Sequence, residues 1–176
     1  RAMENWRLLR STHVFAGRVF SVRTDEVRMP DGRDVRLDIV GHPGSVAIAA
    51  APKPGEILLV RQYRHAAGGY LWEIPAGRME SGEDALQSAR RELAEETGYR
   101  AGALHVVAGF YVTPGFCEEY LHLVAANDLE AGERALDEDE DIEVRVASLA
   151  EATKMAAAGE IREAKTLLAL MFLAHP

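Results

Sequence analysis

Apolar and polar residues alternate in two short runs near the N-terminus, at 22–29 and at 35–39. A period of two is typical of a β-strand with one buried face. Between the runs lies Pro30-Asp31-Gly32-Arg33, whose residue types favour a turn. The pattern predicts a β-hairpin, which we assign to an N-terminal extension of residues 1–42.

From residue 43 onward the pattern changes to short, almost continuous apolar runs. Ser45–Ala51 and Ile57–Val60 are typical of buried strands, and further strands are predicted at 71–74, 104–112, 121–125 and 142–146. A helical period governs the stretch from Ser81, an expected N-cap, to Gly98, an expected C-cap. Two more helices are predicted at 149–158 and 164–174.

This mixture of strands and helices predicts the α/β (α+β) class, with a sandwich around a mixed sheet in a domain of residues 43–176. The chain has 176 residues, 48% of them hydrophobic, which is enough for a single core.

A net charge of -8 argues against general nucleic-acid binding. The single cysteine, Cys117, fits a cytoplasmic protein, and no apolar run has the length of a membrane span.

Three carboxylates share one face of the helix that ends at Gly98. Glu92, Glu95 and Glu96 are three or four residues apart, so their like charges repel. Oxygen ligands of this kind suit Mg²⁺ or Mn²⁺. The alternative is a solvated helix face, with nearby arginines forming ordinary surface ion pairs.

The surrounding sequence decides between these interpretations. The segment Gly77-Arg78-Met79-Glu80-Ser81-Gly82-Glu83 is followed seven residues later by Arg91-Glu92-Leu93-Ala94-Glu95-Glu96-Thr97-Gly98-Tyr99. Together they resemble the Nudix box, and only Tyr99 departs from it, being aromatic where the box has an aliphatic residue. The resemblance implies a Nudix-like α/β/α sandwich that hydrolyses a phosphoanhydride bond with Mg²⁺, or with Mn²⁺ as a substitute.

The resemblance also implies roles for individual residues. The metal ligands would be Glu92 and Glu96, joined by Glu95 and by the backbone carbonyl of Ala76. Arg91 would orient the box glutamates through a salt bridge, and Glu83 would support them. A catalytic base usually comes from an acidic loop beyond the box, and the run 137–141 resembles that loop. Glu138 is the first choice and Glu140 the second, while the alternative is a solvated acidic loop.

Other positions resemble the ADP-ribose pyrophosphatase subfamily of this family. Pro114 lies sixteen residues after Gly98, like the proline that marks these enzymes, so Pro114-Gly115-Phe116 is a candidate substrate segment, although a plain turn has the same composition. Arg61 and Arg64 precede the box and are candidate phosphate ligands, since a forked guanidinium matches phosphate. Arginines at a strand end more often simply face solvent.

The predicted reaction is therefore Mg²⁺-dependent hydrolysis of ADP-ribose, or of a related nucleoside diphosphate sugar, to AMP and ribose 5-phosphate. GDP-mannose, NADH, a dinucleoside polyphosphate or an RNA 5' end remain alternative substrates. A Nudix module that binds a nucleotide without cleaving it is an alternative of another class. The resemblance further implies a homodimer in which the N-terminal hairpin takes part, and no membrane or nucleic-acid partner is expected.

Overall fold

The computed structural model describes residues 5–134 and 141–174. The chain divides into two compact units, Arg1–Gly44 with Phe110–Tyr120, and Ser45–Gly109 with Leu121–Pro176. The predicted division at residues 42 and 43 stays a prediction.

The first unit contains a three-stranded antiparallel sheet in the order β1-β2-β3. Its strands are β1 (Arg7–Ala16), β2 (Ser21–Arg28) and β3 (Asp34–Gly41). The predicted hairpin is confirmed as β2 and β3, with Val27 opposite Val35. Strand β1 was not predicted, because its sequence does not alternate apolar and polar residues and nine of its ten residues are exposed.

The second unit contains most of the remaining strands, in two sheets. The strands are β4 (Ser45–Ala50), β5 (Glu56–Arg64), β6 (Gly69–Glu73), β7 (Ala76–Arg78), β8 (Tyr99–Tyr111), β9 (Tyr120–Ala131) and β10 (Ile142–Ser148). One sheet has the order β7-β4-β9-β8 and the other the order β10-β5-β6. Strand β4 pairs parallel with β9 and antiparallel with β7, so the mixed sheet is confirmed.

The described residues include three α-helices, of which α1 (Ala85–Thr97) lies between β7 and β8, while α2 (Leu149–Ala157) and α3 (Ala164–Ala174) follow β10. The prediction of Ser81 as the N-cap of α1 was wrong, since Asp84 is the N-cap and forms a capping box with Gln87. Gly82 has a φ of 90°, which ends any helical path from Ser81. Gly98 caps the C-terminus in a left-handed conformation, as predicted.

The core lies where α1 packs on the central strand β4. Ala89 and Leu93 of α1 are buried in one cluster with Val46, Ile48 and Ala50 of β4. Every residue of β4 is buried, as expected for a strand covered on both faces. Helix α3 also contacts β4, and α2 contacts β5 and β10. The α/β class and the sandwich architecture are confirmed.

In the part of the chain that the structure describes, no helix is both long and apolar enough to cross a membrane.

Candidate active site

Glu92 lies against the backbone of Gly77. A β-carbon placed on Gly77 would come within 1.9 Å of the Glu92 carboxyl carbon, far inside van der Waals contact. Only glycine therefore allows this carboxylate to lie over strand β7. The Glu96 carboxylate reaches the next residue back, where its Oε2 accepts a hydrogen bond of 3.1 Å from the Ala76 amide. Two box glutamates thus meet at consecutive backbone positions.

Arg91 holds the carboxylates of the box together. Its Nε and Nη2 donate to the two oxygens of Glu83 at 2.8 and 2.9 Å, in a forked pair. Its Nη1 donates to Glu92 Oε1 at 2.8 Å and to Glu95 Oε2 at 3.0 Å. A further bond, from Nη2 to the Arg78 carbonyl, ties the guanidinium to the loop. The predicted salt bridges are present, and Arg91 fixes Glu83 and Glu92 relative to strand β7.

Arg91 also sets the charge of the cluster. Its hydrogen bonds lower the pKa of Glu83 to about 2, below the ordinary 4.5. The hydrogen bonds that Arg91 donates to Glu83, Glu92 and Glu95 outweigh the effect of burial and raise the pKa of Arg91. Three carboxylates therefore share one guanidinium in this group, and a fourth, that of Glu96, accepts the Ala76 amide beside them. The lowered pKa keeps Glu83 charged at neutral pH, and the cluster as a whole offers carboxylate oxygen, the donor that hard divalent cations prefer.

The same arrangement falls short of a closed metal cage. Across residues 5–134 and 141–174, no group of three or more His, Cys, Asp or Glu side chains is arranged to hold a metal ion. The guanidinium of Arg91 lies between Glu92 and Glu95, which separates two of the predicted ligands. The oxygen atoms of these residues are nevertheless suitable ligands for a divalent ion. Glu92 and Glu96, at the Ala76–Gly77 backbone, are the residues that would hold it.

Arg64, at the end of β5, is paired with a buried carboxylate. Its Nε and Nη2 each donate to one oxygen of Glu73 at 2.8 Å. The Glu73 side chain is 1% exposed, whereas that of Arg64 is 39% exposed, so the pair leads from the core to the surface. The hydrogen bonds with Glu73 raise the pKa of Arg64, and Glu96 and Glu163 add smaller effects in the same direction. Arg64 therefore lies within electrostatic reach of the metal-ligand candidate Glu96.

The start of α3 completes this group, and sequence reasoning missed it. Lys165 Nζ lies 2.6 Å from Glu163 Oε1 and 3.8 Å from Glu73 Oε2. Thr166 Oγ1 donates to Glu163 Oε2 at 3.0 Å and accepts the Ile74 amide at 2.9 Å. A glutamate inside the apolar run Leu71–Ile74 was the one available signal, because a buried carboxylate needs partners.

Arg61 is placed differently from Arg64. Its guanidinium stacks over the Tyr70 ring at 4.4 Å and makes a long contact of 3.4 Å with the exposed Glu143. Both interactions are typical of a solvent-facing arginine. Of the two predicted phosphate ligands, only Arg64 is held by a buried partner.

The predicted substrate segment Pro114-Gly115-Phe116 forms a turn in the first unit. The Phe116 carbonyl accepts the Val40 amide at 2.7 Å, and the Phe116 ring is 54% exposed. Nearby, Arg23 forms a forked pair with Glu118 at 2.7 and 2.8 Å, which joins the turn to β2. The turn is therefore fixed within its unit, while its aromatic side chain faces outward.

The two candidates for the catalytic base, Glu138 and Glu140, lie outside the described residues.

The sequence as a whole matches two families. The NUDIX domain family matches residues 41–170, and the nucleoside diphosphate sugar hydrolase N-terminal domain matches residues 6–37. The chain therefore belongs to the Nudix family, whose hydrolases generally need divalent metal ions. Within that family it carries the N-terminal domain described for nucleoside diphosphate sugar hydrolases.

Individual relatives agree with this assignment. An ADP-ribose pyrophosphatase of Bacillus subtilis (strain 168) is 40% identical over 162 residues, which cover 91% of this chain and 88% of that protein. A GDP-mannose pyrophosphatase of Salmonella arizonae is 38% identical over 127 residues, covering 66% of this chain and 65% of that protein. The crystal structure of an ADP compounds hydrolase superposes with a TM-score of 0.87 at 22% identity, covering 99% of this chain and 95% of that one. That last likeness confirms the fold.

Proposed function

We propose that this protein is a Mg²⁺-dependent pyrophosphatase that hydrolyses ADP-ribose to AMP and ribose 5-phosphate. One observation carries the proposal, namely that Glu92 and Glu96 meet at the Ala76–Gly77 backbone while Arg91 binds Glu83, Glu92 and Glu95 beside them. A binding module that had lost catalysis would be expected to lack some of these carboxylates. The whole set is present, which favours an enzyme.

The residues divide the work of the proposed reaction between them. Glu92 and Glu96 would hold the metal, with Glu95 and the Ala76 carbonyl as further ligands. A bound Mg²⁺ ion supplies neutralising charge and Lewis-acid polarisation for the diphosphate. Arg64 contacts the substrate phosphates, and Arg91 keeps the box carboxylates in place. Net water addition across the phosphoanhydride bond then gives the two monophosphates.

A base must accept the proton of the attacking water. We assign this role to Glu138, with Glu140 as the second choice. Glu138→Gln keeps the size of the side chain but removes the basic oxygen, so turnover should fall about 10²-fold or more while the Mg²⁺ concentration for half-maximal rate stays unchanged. Glu140→Gln is the matched comparison. Unchanged turnover of Glu138→Gln would move the role to Glu140 or to a box glutamate.

The choice of ADP-ribose as substrate rests on two features. Pro114 follows Gly98 at the spacing of the ADP-ribose subfamily, and the Bacillus subtilis relative named above matches nearly the whole chain. GDP-mannose is the second candidate, because its pyrophosphatase from Salmonella arizonae is also similar over a shorter stretch. Both substrates are nucleoside diphosphate sugars, so the same metal and phosphate contacts serve either one.

A substrate panel tests the proposal. The purified protein is incubated with Mg²⁺ and, separately, with ADP-ribose, GDP-mannose, NADH, a dinucleoside polyphosphate and 5'-triphosphorylated RNA, and products are separated by chromatography. We expect AMP and ribose 5-phosphate from ADP-ribose at the highest kcat/KM. Faster turnover of another compound would reassign the substrate. Nucleotide binding with no turnover of any compound would favour the non-catalytic module.

A homodimer and a cytoplasmic location complete the proposal. The homodimer is supported by the match of residues 6–37 to an N-terminal domain of sugar-nucleotide hydrolases, and by the exposed Phe15 and Trp6 in that segment. Light scattering at several protein concentrations measures the molar mass directly. A mass of one chain at all concentrations would contradict the homodimer.

A further inference from the structure

We propose that the start of helix α3 is a positioning element for the active site, acting through Glu73 on Arg64 and through Ile74 on Ala76. The residues concerned are Glu163, Lys165 and Thr166, which lie far along the chain from the Nudix box. The inference rests on the proposed function, since it assigns these residues to the same reaction.

The first part of the argument concerns the orientation of Arg64. Its Nε and Nη2 are both engaged by Glu73 at 2.8 Å, which leaves the Nη1 nitrogen as the end of the guanidinium that points away from this pair. An exposed arginine moves among many rotamers, whereas a forked pair to a 1% exposed carboxylate fixes the plane of the guanidinium. Glu73 therefore presents Arg64 to an anion in a single orientation.

Glu73 in turn is a buried carboxylate, which needs oppositely charged partners in the core. Arg64 is one, and the ammonium of Lys165 is the second, at 3.8 Å from Glu73 Oε2. Lys165 is itself held at 2.6 Å by Glu163. When Arg64 also interacts with a diphosphate, Lys165 continues to neutralise the charge of Glu73. The buried carboxylate therefore does not compete with the diphosphate for Arg64.

Thr166 controls the backbone that follows Glu73. Its hydroxyl accepts the Ile74 amide at 2.9 Å and donates to Glu163 at 3.0 Å, and the side chain is fully buried. Ile74 lies two residues before Ala76, whose amide binds Glu96. The Thr166 hydroxyl thus fixes the backbone at Ile74, just before the Ala76 amide to which Glu96 is bound.

Two pairs of variants test this element. Lys165→Met is compared with Lys154→Met, on the exposed part of α2, and Thr166→Val with Thr153→Val, whose exposed hydroxyl bonds only its own helix. We expect Lys165→Met to raise KM about 5-fold to 10-fold and Thr166→Val to lower kcat about 10-fold or more, because small displacements at a reacting centre are costly. Both controls should stay within about 2-fold.

A double variant and a conservative variant separate positioning from general stability. In the Arg64→Met background, Lys165→Met should change KM by less than about 2-fold, because its effect passes through Arg64. Thr166→Ser restores the hydroxyl and should recover most of kcat. The inference would be wrong if Lys165→Met had equal effects in both backgrounds. It would also be wrong if Thr166→Ser melted normally but did not recover kcat. Either result would leave the proposed function unaffected. Absence of turnover by the unmodified protein would contradict the proposed function, and this inference with it.

Discussion

The second unit contains two arginine–carboxylate groups that are built in opposite ways. In the box group, one guanidinium, that of Arg91, is shared among Glu83, Glu92 and Glu95, whose side chains are 12–40% exposed. In the other group, one carboxylate, that of Glu73, is buried and faces both Arg64 and Lys165. The first group therefore gathers negative charge near the surface, and the second directs positive charge outward from the core.

In the proposed reaction, the two groups would hold a single substrate from two sides. Carboxylates in excess over arginine attract a divalent cation, whereas cations arranged around a buried carboxylate attract a phosphate. Glu96 is among the charges that raise the pKa of Arg64, so the two groups lie within electrostatic range of each other. A diphosphate with its metal ion has both signs of charge, and it matches this pair of groups.

The largest effect is expected at the box group. Glu96→Gln removes a ligand charge but keeps the side-chain size, so kcat should fall about 10³-fold or more with Mg²⁺ present. Glu160→Gln, in an exposed loop, is the control and should keep full activity. A rate near that of the unmodified protein would rule out Glu96 as a metal ligand.

Removing an arginine should lower the free energy of unfolding more in the buried group than in an exposed ion pair. Arg64→Met leaves Glu73 with only Lys165 nearby, so the free energy of unfolding should fall by about 3 kcal/mol. Arg61→Met removes the exposed contact with Glu143 and should cost less than about 1 kcal/mol. Urea unfolding followed by circular dichroism measures both. Equal losses would show that the burial of Glu73 does not distinguish the two arginines.

Gly77→Ala tests the close approach of Glu92 to the backbone. The added methyl group would lie 1.9 Å from the Glu92 carboxyl carbon, so the carboxylate must move. We expect a loss of about 1–3 kcal/mol in the free energy of unfolding and about 10²-fold in kcat. Gly69→Ala is a matched control, since no atom lies within 4 Å of its added β-carbon. Normal turnover of Gly77→Ala would show that Glu92 does not need this position.

The smallest effect is the pH dependence of the Arg91–Glu83 pair. Because the pKa of Glu83 is lower in the folded state, the pair stabilises the protein above pH 4.5, and that contribution is lost as pH falls from about 4.5 to about 2. In the presence of a metal chelator, the free energy of unfolding of the unmodified protein should exceed that of Glu83→Gln by about 1 kcal/mol near neutral pH. The difference should shrink in acid. A difference that does not vary over this range would contradict the shifted pKa.

Sequence was sufficient for the box group because its members are close along the chain. The spacing of Glu92, Glu95 and Glu96 along one helix places their side chains together, and Arg91 is their neighbour. The central strands were also predictable, since β4 is a continuous apolar run. The fold class followed from the order of these elements.

The buried group could not be predicted, because its halves are brought together only by the fold. Thr166 and Ile74 are 92 residues apart, and neither residue type signals the contact. The wrong N-cap of α1 has a local cause, since Ser81 and Asp84 are both good caps and the choice depends on the backbone of Gly82. Strand β1 escaped prediction for another reason, since a strand exposed along nearly its whole length carries no alternating pattern.

The pairing of β4 with β9 also has a consequence for synthesis on the ribosome. Ser45–Ala50 emerges early, but its parallel partner 121–126 follows some seventy residues later. Until then, a strand of apolar and β-branched residues lacks one of its two neighbours. Non-local pairing of this kind slows folding and exposes the nascent chain to aggregation. The order in which this molecule is made therefore leaves a fully buried strand without one of its partners until β9 has emerged.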